Sequence, residues 1–256
     1  MRCLFVLLLL APPSMFAQSR FDGTWQMKMD SLRFSGAPEE YLLENGMYHC
    51  ATCAPRVDVK ADGTDQIVTG HYFDTIAVRV VDARSVEFIQ KRSRKITFRA
   101  VETVSPDSQT MTELFTNTVG AETVTGKAVF VRVKDAQLGS HALSGSWQMQ
   151  TVKNGTPAGT LTTYRSTMGG LKISDGGSAY EVKFDGKDYP TSGDPLHFTT
   201  ALKLIDDSTI EETDKQDGTI IVVSLMKVSK DGKWMAVKSA DKLRGSTMTY
   251  TAVKQP

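Results

Sequence analysis

The chain repeats itself. Phe21-Asp22-Gly23-Thr24-Trp25-Gln26-Met27 returns 122 residues later as Leu143-Ser144-Gly145-Ser146-Trp147-Gln148-Met149. Lys60-Ala61-Asp62-Gly63-Thr64-Asp65 pairs with Lys183-Phe184-Asp185-Gly186-Lys187-Asp188 at an offset of 123, and Val104-Ser105-Pro106-Asp107 with Val228-Ser229-Lys230-Asp231 at 124. A chain built this way folds as two versions of one unit, each of roughly 120 residues.

Alternation at period two names the building block. Ile76, Val78 and Val80 fall on one face of an extended segment while Ala77, Arg79 and Val81 fall on the other, the pattern of a strand with one buried side. Similar runs recur at 85–90, 96–101, 110–116 and 126–133, and in the second copy near 200–205, 209–214, 219–228, 233–239 and 246–254. Between them stand Asn45-Gly46, Asp62-Gly63, Asp185-Gly186, Asp217-Gly218 and Asp231-Gly232, whose residues tolerate the positive φ of tight hairpins. The expected fold is all-β: two tandem antiparallel meanders, each an up-and-down barrel-like unit of roughly seven or eight strands with little helix. Pro38 to Glu44 reads as a strand because its counterpart, Thr160 to Tyr164, is poor helix material. Ile220 to Leu225 is apolar at almost every position, which predicts cover on both faces, one from its own core and one from the first unit.

Residues 1–17 carry Arg2, the apolar run Leu4 to Leu10, Pro12, Pro13 and Ala17, the layout of a secretory signal peptide. The organisation is then signal peptide 1–17, β unit 18–133, linker 134–142 and β unit 143–256. Basic residues number 30 and acidic residues 29; loss of Arg2 brings the two to parity, and a general polyanion-binding role gets no support from charge. Cys3 leaves with the leader, so Cys50 and Cys53 remain as an even pair in an oxidising compartment.

Little of the chain reads as chemistry. A Cys-x-x-Cys is a redox pair, half a zinc site or a small structural disulfide. Pro55 and the extended context argue against the helix N-terminus that redox catalysis wants, and His49 and His71 are the remaining zinc candidates, so a local disulfide between Cys50 and Cys53 is the expectation. None of His49, His71, His141 and His197 sits in a triad or metalloprotease context. Glu211-Glu212-Thr213-Asp214 offers paired carboxylates for glycoside hydrolysis, but before the Asp217-Gly218 turn it reads as a solvated face. The hairpin tip Lys91-Arg92-Ser93-Arg94-Lys95 is basic where its twin, Lys215 to Thr219, is not. Lys91, Arg92, Arg94 and Lys95 are therefore candidates for contact with an anionic envelope component. Trp25 and Trp147 open the two units, either plugging a barrel end or lining a ligand cavity.

The Gly-x-Trp at the head of each unit is similar to the first-strand motif of lipocalin-like barrels. The strings Cys50-Ala51-Thr52-Cys53 through Lys60-Ala61-Asp62-Gly63-Thr64-Asp65, Gly70 and Asp74-Thr75, with Ser140 to Trp147 and Ile210 to Lys215, resemble a family of uncharacterised exported bacterial proteins seen among acidobacteria. That resemblance implies an architecture and a periplasmic or extracellular location, not a mechanism; the first copy departs from the pattern at Ser93-Arg94 and Asp107-Ser108, where Asp-Gly turns are expected. The expected function is a non-catalytic exported barrel protein that binds a small apolar ligand, with Trp25 and Trp147 as ligand-binding candidates, or serves as an envelope module. The alternative is an envelope hydrolase using paired carboxylates. No cofactor, metal, nucleic acid or membrane span is expected.

Overall fold

The computed structural model describes residues 19–119, 122–175, 178–191 and 198–256; the expected signal peptide and His197 lie outside them. The strands are β1 (Gly23–Met27), β2 (Arg33–Ser35), β3 (Glu39–Glu44), β4 (Met47–Cys50), β5 (Val57–Lys60), β6 (Gln66–Ile67), β7 (Thr75–Val80), β8 (Ser85–Arg92), β9 (Lys95–Val104), β10 (Thr110–Asn117) and β11 (Val124–Lys134). They continue as β12 (Gly145–Asn154), β13 (Leu161–Thr167), β14 (Gly170–Asp175), β15 (Ser178–Lys183), β16 (Tyr189–Pro190), β17 (Phe198–Asp206), β18 (Thr209–Gln216), β19 (Thr219–Val228), β20 (Trp234–Asp241) and β21 (Thr247–Lys254). Helix is confined, among the described residues, to short 3-10 turns at Met29–Ser31 and Pro157–Thr160. The alternating runs thus become strands, including Glu39 to Glu44, because each puts its apolar set on one face of a pleat.

Two antiparallel sheets result, each curled into a nearly closed barrel. The first runs β5-β4-β3-β12-β11-β10-β9-β8-β7-β6, and the second runs β15-β14-β13-β1-β21-β20-β19-β18-β17-β16, with β2 also paired to β21. Their order exposes a feature that the repeat conceals: the units exchange their first strands. β1 closes the second barrel, pairing Trp25 with Lys254 of β21 and with Thr162 of β13. β12 closes the first barrel, pairing Trp147 with Arg132 of β11 and with Glu39 of β3. The exchange is pinned reciprocally. Asp22 accepts hydrogen bonds from the Ser166 hydroxyl (2.6 Å) and backbone N–H, and at the equivalent place the Leu43 N–H donates to Ser144 Oγ (2.8 Å). The boundary at 134–142 therefore divides the repeats in sequence, whereas the first barrel in space is continuous from β3 to β12. The short linker explains this, since it delivers β12 directly to the free edge of β11.

The exchanged strands also make the barrel floors. Trp25 and Trp147 are fully buried, and their indole N–H groups donate to the carbonyls of Phe21 (2.7 Å) and Leu143 (2.8 Å). The Arg132 guanidinium lies 4.1 Å from the Trp147 ring centroid, and Lys254 Nζ lies 5.5 Å from that of Trp25, as cation–π pairs do. This explains the glycine of Gly-x-Trp. A Cβ at Gly145 (φ +123°) would stand 2.4 Å from Arg132 Nη1, and one at Gly23 (φ +126°) 2.4 Å from Lys254 Cε, so a side chain there would displace the cation from its ring. Val78, Val86, Val104 and Met111, all fully buried, join Trp147 in the core of the first barrel.

The expectation for Ile220 to Leu225 holds in part. Ile221 and Val222 face the mouth of the first barrel, but Ile220, beside the hairpin turn, and Leu225, outward between Glu211 and Lys238, are each 43% exposed.

Candidate functional site

The first barrel is packed at its Trp147 end and hollow at the other. The cavity there has a volume of about 450 Å³, within the ~300–1,000 Å³ of small-molecule sites. Its wall is aromatic: Tyr41, Tyr48, Phe88, Phe98 and Phe130 line it, with Tyr48 edge-on to Phe88 at 5.2 Å. One rim is the loop closed by the Cys50–Cys53 disulfide (Cα–Cα 5.4 Å). The opposite rim comes from the second barrel, whose β18–β19 and β20–β21 hairpins bring Gln216, Ile221, Val222, Leu243 and Arg244 over the mouth. One unit thus roofs the other.

Three carboxyl groups of the first barrel face this space, Glu39 from β3, Glu102 from β9 and Glu113 from β10, and Asp241 of the second barrel stands at its rim. Glu102 and Glu113 are direct partners across adjacent strands, so their side chains leave the sheet side by side on the same face. Glu102 is 6% exposed, and its Oε2 has no hydrogen-bond partner. Burial, then the charges of Glu113 and Glu39, push the Glu102 carboxyl well above the ordinary range. Burial and then Glu39 push Glu113 up to about 7. Glu39 accepts a hydrogen bond from the Tyr41 hydroxyl. The Tyr41 and Tyr48 phenols are raised well above their usual value, by burial first and then by neighbouring carboxylates. Glu102 therefore holds its proton near neutrality, and Glu113 gives its own up only around 7, unless something compensates their charge.

The second barrel supplies an internal comparison. Val86, Glu102 and Glu113 form one cross-strand row of the first barrel, and the equivalent row of the second is Ile210, Met226 and Val237. Met226 and Val237 are each 4% exposed, and the Tyr164 hydroxyl, the counterpart of Tyr41, meets the Met226 sulfur at 3.3 Å. An apolar row at these positions therefore suits the fold, and the carboxyl pair is peculiar to the first copy.

The residues singled out in the sequence are distributed differently. Cys50 and Cys53 form the disulfide and reach the cavity rim. Trp25 and Trp147 are floor residues, each held by a backbone carbonyl and a neighbouring cation, and neither lines the cavity. On the basic tip, Lys91 pairs with Asp65 (2.7 Å), and its twin Lys215 pairs with Asp188 (2.8 Å), so this lysine belongs to the shared fold. The Arg92 guanidinium donates to the Tyr72 carbonyl (3.0 Å), while Arg94 and Lys95 are exposed. Ser93 and Arg94 hold the positive φ values (46° and 67°) of the turn that Asp217 and Gly218 make in the second copy. The acidic run at 211–214 is half-buried, not a solvated face: Glu212 and Asp214 share the inward face of Ile210, and Thr200 donates to Asp214 (2.7 Å). His49 lies beside Asp58 (2.5 Å), and His71 stacks on Phe73 at the cavity rim. Among the described residues, no three His, Cys, Asp or Glu side chains converge to hold a metal.

Sequence reasoning passed over Glu102 and Glu113. Their signal was available in the alternation of Phe98, Ala100, Glu102 and Val104, and in the offset of 124 that sets them against Met226 and Val237. No family model, curated protein or solved structure matches the chain.

Proposed function

We propose that this chain is an exported, non-catalytic binding protein whose first barrel holds a small molecule with a largely apolar body while the second barrel acts as support and roof. The observation that carries this reading is the aromatic-walled cavity, closed at the Trp147 floor and overhung by the second barrel. Export draws support from the disulfide, which suits an oxidising compartment. Among the described residues no helix is long and apolar enough to cross a membrane. Native mass spectrometry of protein purified from its own source tests the reading, with a co-purifying small molecule expected. Repeated absence of bound mass, together with no thermal shift across a panel of aromatic ligands, would remove it.

The paired carboxyls favour a second reading, hydrolysis of an envelope glycan or lipid. Glycosidases place two carboxyls on either side of the scissile bond, whereas Glu102 and Glu113 project from neighbouring strands of one wall. A pocket with a floor also gives a polymer no through path. Turnover of cell-envelope extract that is lost in E113Q would establish hydrolysis in place of binding.

A further inference from the structure

We propose that the ligand of the first barrel is an organic cation, a protonated amine on an aromatic or aliphatic body, whose charge is received by Glu102 and Glu113 with Glu39 nearby. This rests on the reading of that barrel as a binding site and names the chemistry of its occupant.

Two independent observations converge. Glu102 is buried, opens onto the cavity and leaves Oε2 without a partner. Such a group is retained at a cost to folding that a partner arriving from outside would offset. Tyr48, Phe88, Phe98 and Phe130 line the same cavity, and aromatic rings, through their electron-rich faces, accompany carboxylates in cation recognition. An anion would face three acid groups without a cation in the wall, since Arg244 stands at the roof. A metal ion is disfavoured by the lack of convergent ligands among the described residues. A neutral ligand would leave Oε2 with, at most, an ordinary hydrogen bond. The second barrel has Met226 and Val237 in the same places, so the fold itself does not call for acids in this row.

The geometry links binding to protons. The titratable groups facing Glu113 are Glu102 on β9, Glu39 and Tyr41 on β3 and Tyr48 on β4; β11 contributes Ala128, and His71, Tyr72, Asp241 and Arg244 stand at the rim. An arriving ammonium favours the ionised carboxyls, so protons leave as the cation enters. Affinity for an amine therefore rises as pH climbs through about 7, where Glu113 titrates.

The test uses the full chain and three length-matched probes, 4-phenylbutylamine, 4-phenylbutanol and 4-phenylbutanoate, by isothermal titration at pH 7.5 in two buffers of different ionisation enthalpy. The amine is expected to bind about tenfold or more tighter than the alcohol, the equivalent of one charge-assisted pair, and to release protons. The double variant E102M/E113V, which copies the second barrel, should lose that preference while still binding the alcohol. E113Q, nearly isosteric, should lose part of the preference together with part of the proton release, Glu102 supplying the remainder. Alcohol or carboxylate binding as tightly as the amine would overturn the cation while leaving the cavity a binding site. Binding of none of the three would overturn both. An amine preference that survives unchanged in the folded double variant would overturn the assignment to these carboxyls.

Discussion

Replacement of Glu113 by Gln should change how stability depends on pH, in a direction opposite to that of most surface carboxylates. Burial first, then the Glu39 charge, raises this carboxyl from 4.5 to about 7. An acid whose folded pKa lies above its unfolded value holds more protons when folded. Its contribution to stability is intact below the unfolded pKa and is lost as pH rises through the folded one. A shift of that size corresponds to a ceiling of about 3 kcal/mol. Glu113 keeps some contact with solvent, and part of the loss already falls below pH 5, so about 2 kcal/mol remains between pH 5 and pH 8. For a chain of this size that is ~4–8 °C in Tm. Wild type should therefore lose that much more than E113Q as pH is raised from 5 to 8. Glu102, coupled to Glu113, is present in both proteins; removal of its charged neighbour eases its own ionisation and widens the gap in the same direction. Thermal melts followed by tryptophan emission, with Trp25 and Trp234 both replaced by Phe in each protein so that Trp147 alone reports the first barrel, provide the assay. Parallel pH profiles for wild type and E113Q would show that the cavity is wet enough to leave Glu113 an ordinary carboxyl.

Three further outcomes follow from the geometry. E102M, which restores the residue of the second barrel, should stabilise the empty protein by ~1–3 kcal/mol because an unpartnered acid gives way to a fitting apolar chain; the check is chemical denaturation at pH 7.5, and a destabilised variant contradicts the placement of Oε2. G145A should cost ~1–3 kcal/mol, from strain at φ +123° and from displacement of Arg132 off the Trp147 ring, seen as a lower Tm with altered Trp147 emission. R94G should gain about 1 kcal/mol, since Arg94 sits at φ 67° in a turn where the other copy uses Gly218; the readout is the denaturation midpoint, and an unchanged midpoint counts against strain at this tip.

Alternation and turn residues made the strands legible, because each strand buries one face and each hairpin needs residues that tolerate positive φ. The exchange of β1 and β12 was not legible. Gly23 to Met27 and Gly145 to Met149 are nearly the same strand, so either satisfies either barrel, and only the short path from Lys134 to Gly145 decides which edge β12 meets. Charge runs drew attention to Lys91–Lys95, where Lys91 serves a structural ion pair common to both copies. Glu102 and Glu113 are single acids in apolar strands, and such residues read as outward-facing until the strand's face is fixed. Period two fixes it for Glu102, which shares a side with Val104, and pairing across the sheet then carries Glu113 to the same side.

The exchanged first strand sets an order of assembly. All ladders of the first barrel form within residues 39–154, the longest in range being β12 on β3, with Trp147 opposite Glu39. The second needs β1 beside β21, with Trp25 opposite Lys254, a contact of nearly maximal sequence separation whose loop-closure entropy is met last. The earliest strand of the chain is thus the last to find its place, and it waits for the final strand. A truncation that removes β21 should leave the first barrel able to close while parting β1 from β20 in the second, so a closed second barrel reports that both β1 and β21 have arrived.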